Sequence, residues 1–182
     1  MIIFLGRTAS GKDTVVNQLV SKHGYRKITT YTTRGMRKDE KQGITYHYVS
    51  EEEFKQKIRD GFFAEWKSYD TAEGIWYYGT ALEDLEKADD KSVIILTPEG
   101  FRDVKDRLGD GVSSLYIYAN NSTIKKRLKS RGDDKEEAER RFEKDNIDFK
   151  GVENEVDKIV YNNDGYEIDD VVKKILDIVE VG

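Results

Sequence analysis

At 182 residues the chain has the length of one domain with room for a small inserted subdomain, and its net charge of −5 excludes a broadly basic nucleic-acid coat while still allowing a local arginine cluster for a small anion. With 37% hydrophobic, 37% charged and 11% aromatic residues it is polar for a globular protein, yet too rich in aliphatic and aromatic side chains to be disordered. The lack of cysteine excludes disulfides, thiolate nucleophiles and thiolate metal centres, and His23 and His47 alone are too few for a multi-histidine metal site. No apolar run reaches the roughly 18 residues of a membrane span. The start, MIIFLG, is too short and too poor in basic residues for a signal peptide, so a cytoplasmic protein without membrane or nucleic-acid partners is expected.

In chain order, residues 2–5 read as a buried strand, followed by a helix over residues 14–22 with Val15, Val16, Leu19 and Val20 facing inward. Residues 27–79 are rich in Tyr and Thr with short alternating runs at 44–49 and 62–66, the pattern of a small, partly antiparallel insert. Further buried strands are expected at 93–96, 115–118 and 159–161, with helices at 122–130 and 168–179. Apolar strands separated by helices imply a parallel sheet covered on both faces. The charged stretch 131–143, with few apolar anchors, reads as a mobile flap.

The first strand and helix bracket Gly6-Arg-Thr-Ala-Ser-Gly-Lys12, which fits G-x-x-x-x-G-K in the context that gives the motif meaning. The glycines let the backbone curl so that N–H groups face phosphate oxygens; the helix N-terminus adds its dipole and Lys12 a point charge. Gly6, Thr8, Ala9, Ser10, Gly11, Lys12, Asp13 and Thr14 are therefore expected to bind ATP. Asp13 stands where Ser or Thr usually follows the lysine, so Thr14 is the candidate hydroxyl for a phosphate-bound Mg²⁺.

From Thr30 the sequence runs TYTTRGMRKDEKQGITYHYVS, and FFAEW and YYGT follow. In this order and near these spacings the chain resembles the guanylate kinases over essentially its whole length. The resemblance implies that Thr30, Arg34, Arg37, Tyr46 and Tyr78 hold the phosphate of an acceptor nucleotide. Glu65 would face the two Watson–Crick donors of guanine and Thr80 its O6 edge. Two arginines three apart suit a phosphate dianion on chemical grounds as well. Glu40 is expected to support the arginines. Further on, KKRLKSRGDDKEEAERRF resembles the family's arginine-bearing lid, implying catalytic roles for Arg127, Arg131 and Arg141. The spacing to the last is a single residue shorter than usual, which makes Arg140 the alternative. Asn162 is assigned to the ATP site on the same resemblance.

Departures from the family pattern are specific. Where its two aspartates are expected the chain has ILTPEG, with Ile95 and Thr97 in their places and Glu99 for glutamine. Thr97 inherits a base-facing position as a neutral hydroxyl. The segment between Trp66 and Tyr78 is also a few residues longer than usual.

The expected fold is α/β: a three-layer P-loop core with a parallel sheet, an inserted mixed-β monophosphate-binding subdomain and a short helical lid. All 182 residues form one domain, with core 1–29, 80–130 and 144–182, insert 30–79 and lid 131–143. The expected activity is Mg²⁺- and ATP-dependent phosphorylation of GMP or dGMP, by a monomer or homodimer. The alternatives are a P-loop kinase for another nucleoside monophosphate or a sugar phosphate, and a non-catalytic binding module built on the same fold.

Overall fold

A computed structural model describes residues 1–38, 40–71, 73–132 and 135–181; Asp39, Ala72, Asp133, Asp134 and Gly182, which fall within the expected insert, lid and core ranges, lie outside it. The elements are β1 (Ile2–Leu5), α1 (Lys12–His23), β2 (Arg26–Lys27), β3 (Tyr31–Thr32), β4 (His47–Tyr48), α2 (Glu51–Arg59), β5 (Phe63–Thr71) and β6 (Gly74–Ala81). There follow α3 (Leu82–Glu86), β7 (Ser92–Ile95), α4 (Pro98–Leu108), β8 (Ser113–Tyr118), α5 (Asn121–Arg131), α6 (Lys135–Asp148), β9 (Lys158–Tyr161) and α7 (Ile168–Val181).

The apolar runs become a five-stranded sheet in the order β2-β7-β1-β8-β9, with every neighbouring pair parallel. Alternate residues of β1 point to opposite layers. Ile2 and Phe4 pack with Val15, Val16 and Leu19 of α1 and with Val171, Val172 and Ile175 of α7. Ile3 and Leu5 pack with Leu85 of α3 and Phe101 and Val104 of α4. All four residues of β1 are buried because both faces are covered, which is why the strand reads as a continuous apolar run. The α/β expectation is met. Val20 is a correction: it is 38% exposed, since Val15, Val16 and Leu19 already fill the buried stripe of α1.

The second sheet has the order β4-β3-β6-β5 and is mixed, with β3 and β4 parallel and the β3–β6 and β5–β6 pairs antiparallel. The β5–β6 hairpin occupies the segment that is longer than usual. Its register sets Lys67 opposite Tyr78 and Tyr69 opposite Trp76. Glu65, Lys67 and Tyr69 therefore share one face, as the two-residue strand period requires.

Three helices, α2, α3 and α4, were not anticipated. Ser50 starts α2 with a full capping box: its side chain accepts from the Glu53 N–H while Glu53 reaches back to the Ser50 N–H. Thr97 caps α4, accepting from the Gly100 N–H at 3.2 Å, with Pro98 at the first helical position. The charged stretch after Arg131 is helical from Lys135 to Asp148, running unbroken through residue 143. Its one buried residue among those described is Phe142, which packs with Ile124 and Leu128 of α5.

Candidate active site

A cleft of about 960 Å³ is lined at one end by the loop before α1 and at the other by residues of the small sheet, with α5 and α6 contributing basic side chains. The loop is shaped by its small residues. A Cβ on Gly6 would lie 2.5 Å from Ser10 Oγ, and one on Gly11 would lie 2.3 Å from Asn162 Nδ2. Gly11 also has φ +93°, a left-handed conformation that glycine adopts without strain, and it begins α1 with no side-chain cap. The first N–H groups of α1 thus lack a capping partner at the end where a helix attracts anions. Asn162 donates to the Ser10 carbonyl at 2.8 Å, and Arg127 donates to the Ala9 and Ser10 carbonyls at 3.3 and 3.2 Å. Both side chains brace the loop from behind while still lining the cleft.

Gly6, Thr8, Ala9, Gly11, Lys12, Asp13 and Thr14 all line the cleft. Ser10 is fully buried behind it, and its hydroxyl has no partner. Lys12 lies 3.7 Å from the Asp13 carboxylate.

The end of the cleft beside the small sheet is organised by Glu40. It accepts from both terminal nitrogens of Arg34 at 2.7 and 2.9 Å, from the Arg37 backbone N–H at 2.8 Å and from the Tyr48 hydroxyl at 2.7 Å. Burial pushes the Glu40 pKa up, but these donors outweigh it and bring it down to about 2. Arg34 is buried and lies 5.5 Å from the Tyr46 ring centroid, with Tyr46 edge-on to Tyr78. Thr30, Arg34, Arg37, Tyr46 and Tyr78 are brought together as cleft-lining residues.

Glu65 is buried, and burial raises its pKa against the opposing hydrogen bond from Thr80. Thr80 Oγ1 donates to Glu65 Oε1 at 2.5 Å and is itself fully buried, so it orients the carboxylate from behind and does not line the cleft. Thr97 and Ile95 do line it, but the Thr97 hydroxyl is already committed to capping α4.

Arg127, Arg131, Arg140 and Arg141 all reach the cleft. Arg140 and Arg141 both pair with Glu137, Arg140 through two nitrogens at 2.8 and 2.9 Å and Arg141 at 2.6 Å. The Arg140 contact is the main reason that the Glu137 pKa falls to about 2. Arg141 also sits 5.8 Å from the Trp76 ring centroid, so the long hairpin touches α6 across the cleft.

The sequence model of the guanylate kinase family matches residues 1–181. The chain belongs to the guanylate kinase family. It is 30% identical to the guanylate kinase of Prochlorococcus marinus subsp. pastoris over 99% of this chain and 96% of that one. It is 33% identical to that of Sulfurimonas denitrificans over 100% of this chain and 88% of that one. Among solved structures, guanylate kinase from Anaplasma phagocytophilum aligns with a TM-score of 0.72 at 22% identity, covering 100% of this chain and 84% of that one, which shows the shared fold. As a member of this family the chain is a nucleoside monophosphate kinase, a phosphotransferase.

Among the cleft residues of this kinase that sequence reasoning missed are Asp145, Tyr69, Trp76 and Lys27. Asp145 is half-buried and accepts from the Thr8 N–H at 2.5 Å, and its partial desolvation raises its pKa. Its signal was the i, i+4 spacing from Arg141, which puts both on one helix face. Tyr69, whose pKa burial pushes up to about 12, and Trp76 follow from the alternation of the hairpin. Lys27 gave no pattern, because β2 is only two residues long.

Proposed function

We propose that this chain transfers the γ-phosphoryl of ATP to the phosphate of GMP or dGMP, giving ADP and GDP or dGDP. The observation that carries the reading is a single cleft holding a phosphate-binding loop at one end and, at the other, a phosphate clamp beside a buried, oriented carboxylate. The bond from the γ-phosphorus to its bridging oxygen breaks as an acceptor phosphate oxygen bonds to that phosphorus. The acceptor is already an anion, so no side chain need remove a proton. Lys12 and the arginines of α5 and α6 neutralise the charge spread over the transferring group. Glu65 faces the N1 and N2 donors of guanine; adenine offers no such pair on that edge. Thr97 adds no charge there, so base selection rests on Glu65.

Among the described residues no three His, Cys, Asp or Glu side chains are grouped to hold a metal. That suits Mg²⁺, which takes one or two protein oxygens and completes its shell with phosphate and water. Thr14 and Asp13, exposed at the start of α1, would hold such an ion, which would supply positive charge to offset that of the phosphates. We assign the acceptor to residues 30–79, ATP to the core, and closure to 131–143 together with the rest of α6, whose helix continues to Asp148. No described helix is long and apolar enough to cross a membrane, and we further propose a cytoplasmic monomer or homodimer.

A coupled ADP-release assay over a panel of nucleoside monophosphates and sugar phosphates tests the assignment. GMP and dGMP should be the best acceptors. Faster turnover of AMP, a pyrimidine monophosphate or a sugar phosphate would overturn the guanine reading.

A further inference from the structure

Lys27 ends β2, in register with Val93 of β7, and its side chain leaves the core sheet to line the cleft. Its ammonium donates to the Thr45 carbonyl at 3.1 Å and lies 5.8 Å from the Tyr46 ring centroid. Arg34 flanks the same ring, so Tyr46 sits beside two cations of different origin, one from the core sheet and one from the acceptor segment. The charged groups that face Lys27 are Asp13 and Lys12 from α1 and Glu40 from the acceptor segment. Among the described residues no carboxylate lies within ion-pair distance of it. An ammonium has three donors, and the bond to the Thr45 carbonyl uses one of them. A half-buried cation without a close counter-ion is costly to hold unless an anion joins it. Burial lowers its pKa, with Lys12 acting in the same direction and Asp13 and Glu40 opposing.

We propose that Lys27 is a second phosphate-binding lysine of the cleft, whose ammonium contacts the acceptor phosphate together with Arg34 and Tyr46. The acceptor is favoured over ATP because Thr45, Tyr46 and Glu40 all belong to the acceptor segment, while the donor loop carries its own lysine, Lys12. Lys27 would thus tie the acceptor phosphate to the edge of the core sheet, beside the end of the cleft where the donor phosphates sit. The proposal rests on the reading of residues 30–48 as a phosphate site, and not on the base being guanine.

The test is calorimetric titration of GMP, guanosine and ATP into wild type, Lys27→Gln and Lys27→Arg. Glutamine keeps a donor for the Thr45 carbonyl but removes the charge. Lys27→Gln should weaken GMP about tenfold, the scale of one charge-assisted hydrogen bond, and leave guanosine and ATP within about twofold. Lys27→Arg should restore most of the loss, and the KM for GMP should follow the affinities. Unchanged GMP binding in Lys27→Gln would make the residue a mere prop for Thr45, and equal weakening of guanosine or ATP would mean general damage to the cleft; either overturns the proposal. If the glutamine variant does not fold, the wild-type and arginine proteins decide. The ratio of wild-type to arginine-variant GMP affinity should fall as pH rises from neutrality toward the ordinary lysine value of 10.5, since burial makes this ammonium lose its proton before that point and guanine's own ionisation cancels. A flat ratio overturns the proposal. Should another monophosphate win the acceptor panel, the same titrations run with that compound and its nucleoside, so failure of the base assignment is separable from failure here.

Discussion

Glu40 shows how one side chain turns a charged loop into a binding surface. It draws two guanidinium N–H groups, one backbone N–H and one phenol onto a single carboxylate, so Arg34 and Arg37 are held close together before any ligand arrives. Its pKa is about 2 in the folded protein against 4.5 ordinarily. The folded value is the lower one, so its contribution to stability is present above about pH 4.5 and is lost as pH falls toward 2. The group is partly exposed, so after solvent screening the contribution is on the order of 1 kcal/mol. Glu40→Gln should be less stable than wild type at neutral pH by at least that order, and urea denaturation should show the gap narrowing as pH drops through about 4 to 3. A gap that stays constant with pH would mean that the charge of Glu40 is not what holds the arginines. The pairing was legible in the sequence as two arginines and a glutamate in a short span. Lys27 was not, since its partners Thr45 and Tyr46 come from a segment that folds back over the sheet edge.

At the scale of elements, the Glu65 end of the cleft depends on how closely α4 approaches β5. Glu65 is pinned from one side by Thr80, and on the other side a Cβ on Gly100 would stand 3.0 Å from Glu65 Oε2 and 3.4 Å from Thr97 Oγ1. Gly100→Ala should therefore shift the carboxylate by a few tenths of an ångström. The KM for GMP should rise several-fold while that for ATP holds, even though alanine favours the helix by up to about 1 kcal/mol. Equal KM values for both proteins would show that Glu65 does not depend on this contact. The helix itself was legible: Thr97-Pro98 is an N-cap followed by proline at the first position, just as Ser50 and Glu53 spell a capping box. Reading Thr97 only as a missing acid concealed its local role. The central strands were plain from their apolar runs, whereas β2, β3 and β4 are two residues each and carry no period to detect. Thr80 was expected to read the base itself; that its hydroxyl instead points at Glu65 depends on cross-strand register that residue identity alone does not fix.

The whole molecule joins a well-packed three-layer core to a helix, α6, that has a single buried apolar anchor among its described residues. Arg7 supplies much of the remaining attachment. Only 7% exposed, it donates to Asn146 of α6 at 2.6 Å, to Asn121 at the start of α5 at 2.8 Å and to the Ala119 carbonyl at 2.7 Å. Next to it the Thr8 N–H donates to Asp145, so two consecutive residues of the phosphate loop hold consecutive residues of α6. Any displacement of the loop by bound phosphate is thereby passed directly to the helix that carries Arg140 and Arg141. Arg7→Met keeps much of the side-chain bulk but removes every donor and leaves three acceptors without this partner. The loss should be about 2–3 kcal/mol, lowering Tm by roughly 5–10 °C in a chain of this size. Hydrogen exchange should accelerate most in residues 135–148, with the strands of the central sheet affected only through the global loss of stability. In the assay kcat should fall more than the KM for GMP rises, since the acceptor clamp around Glu40 lies outside this network. Uniform acceleration of exchange across sheet and helix would show that Arg7 stabilises the core in general and does not link the loop to α6.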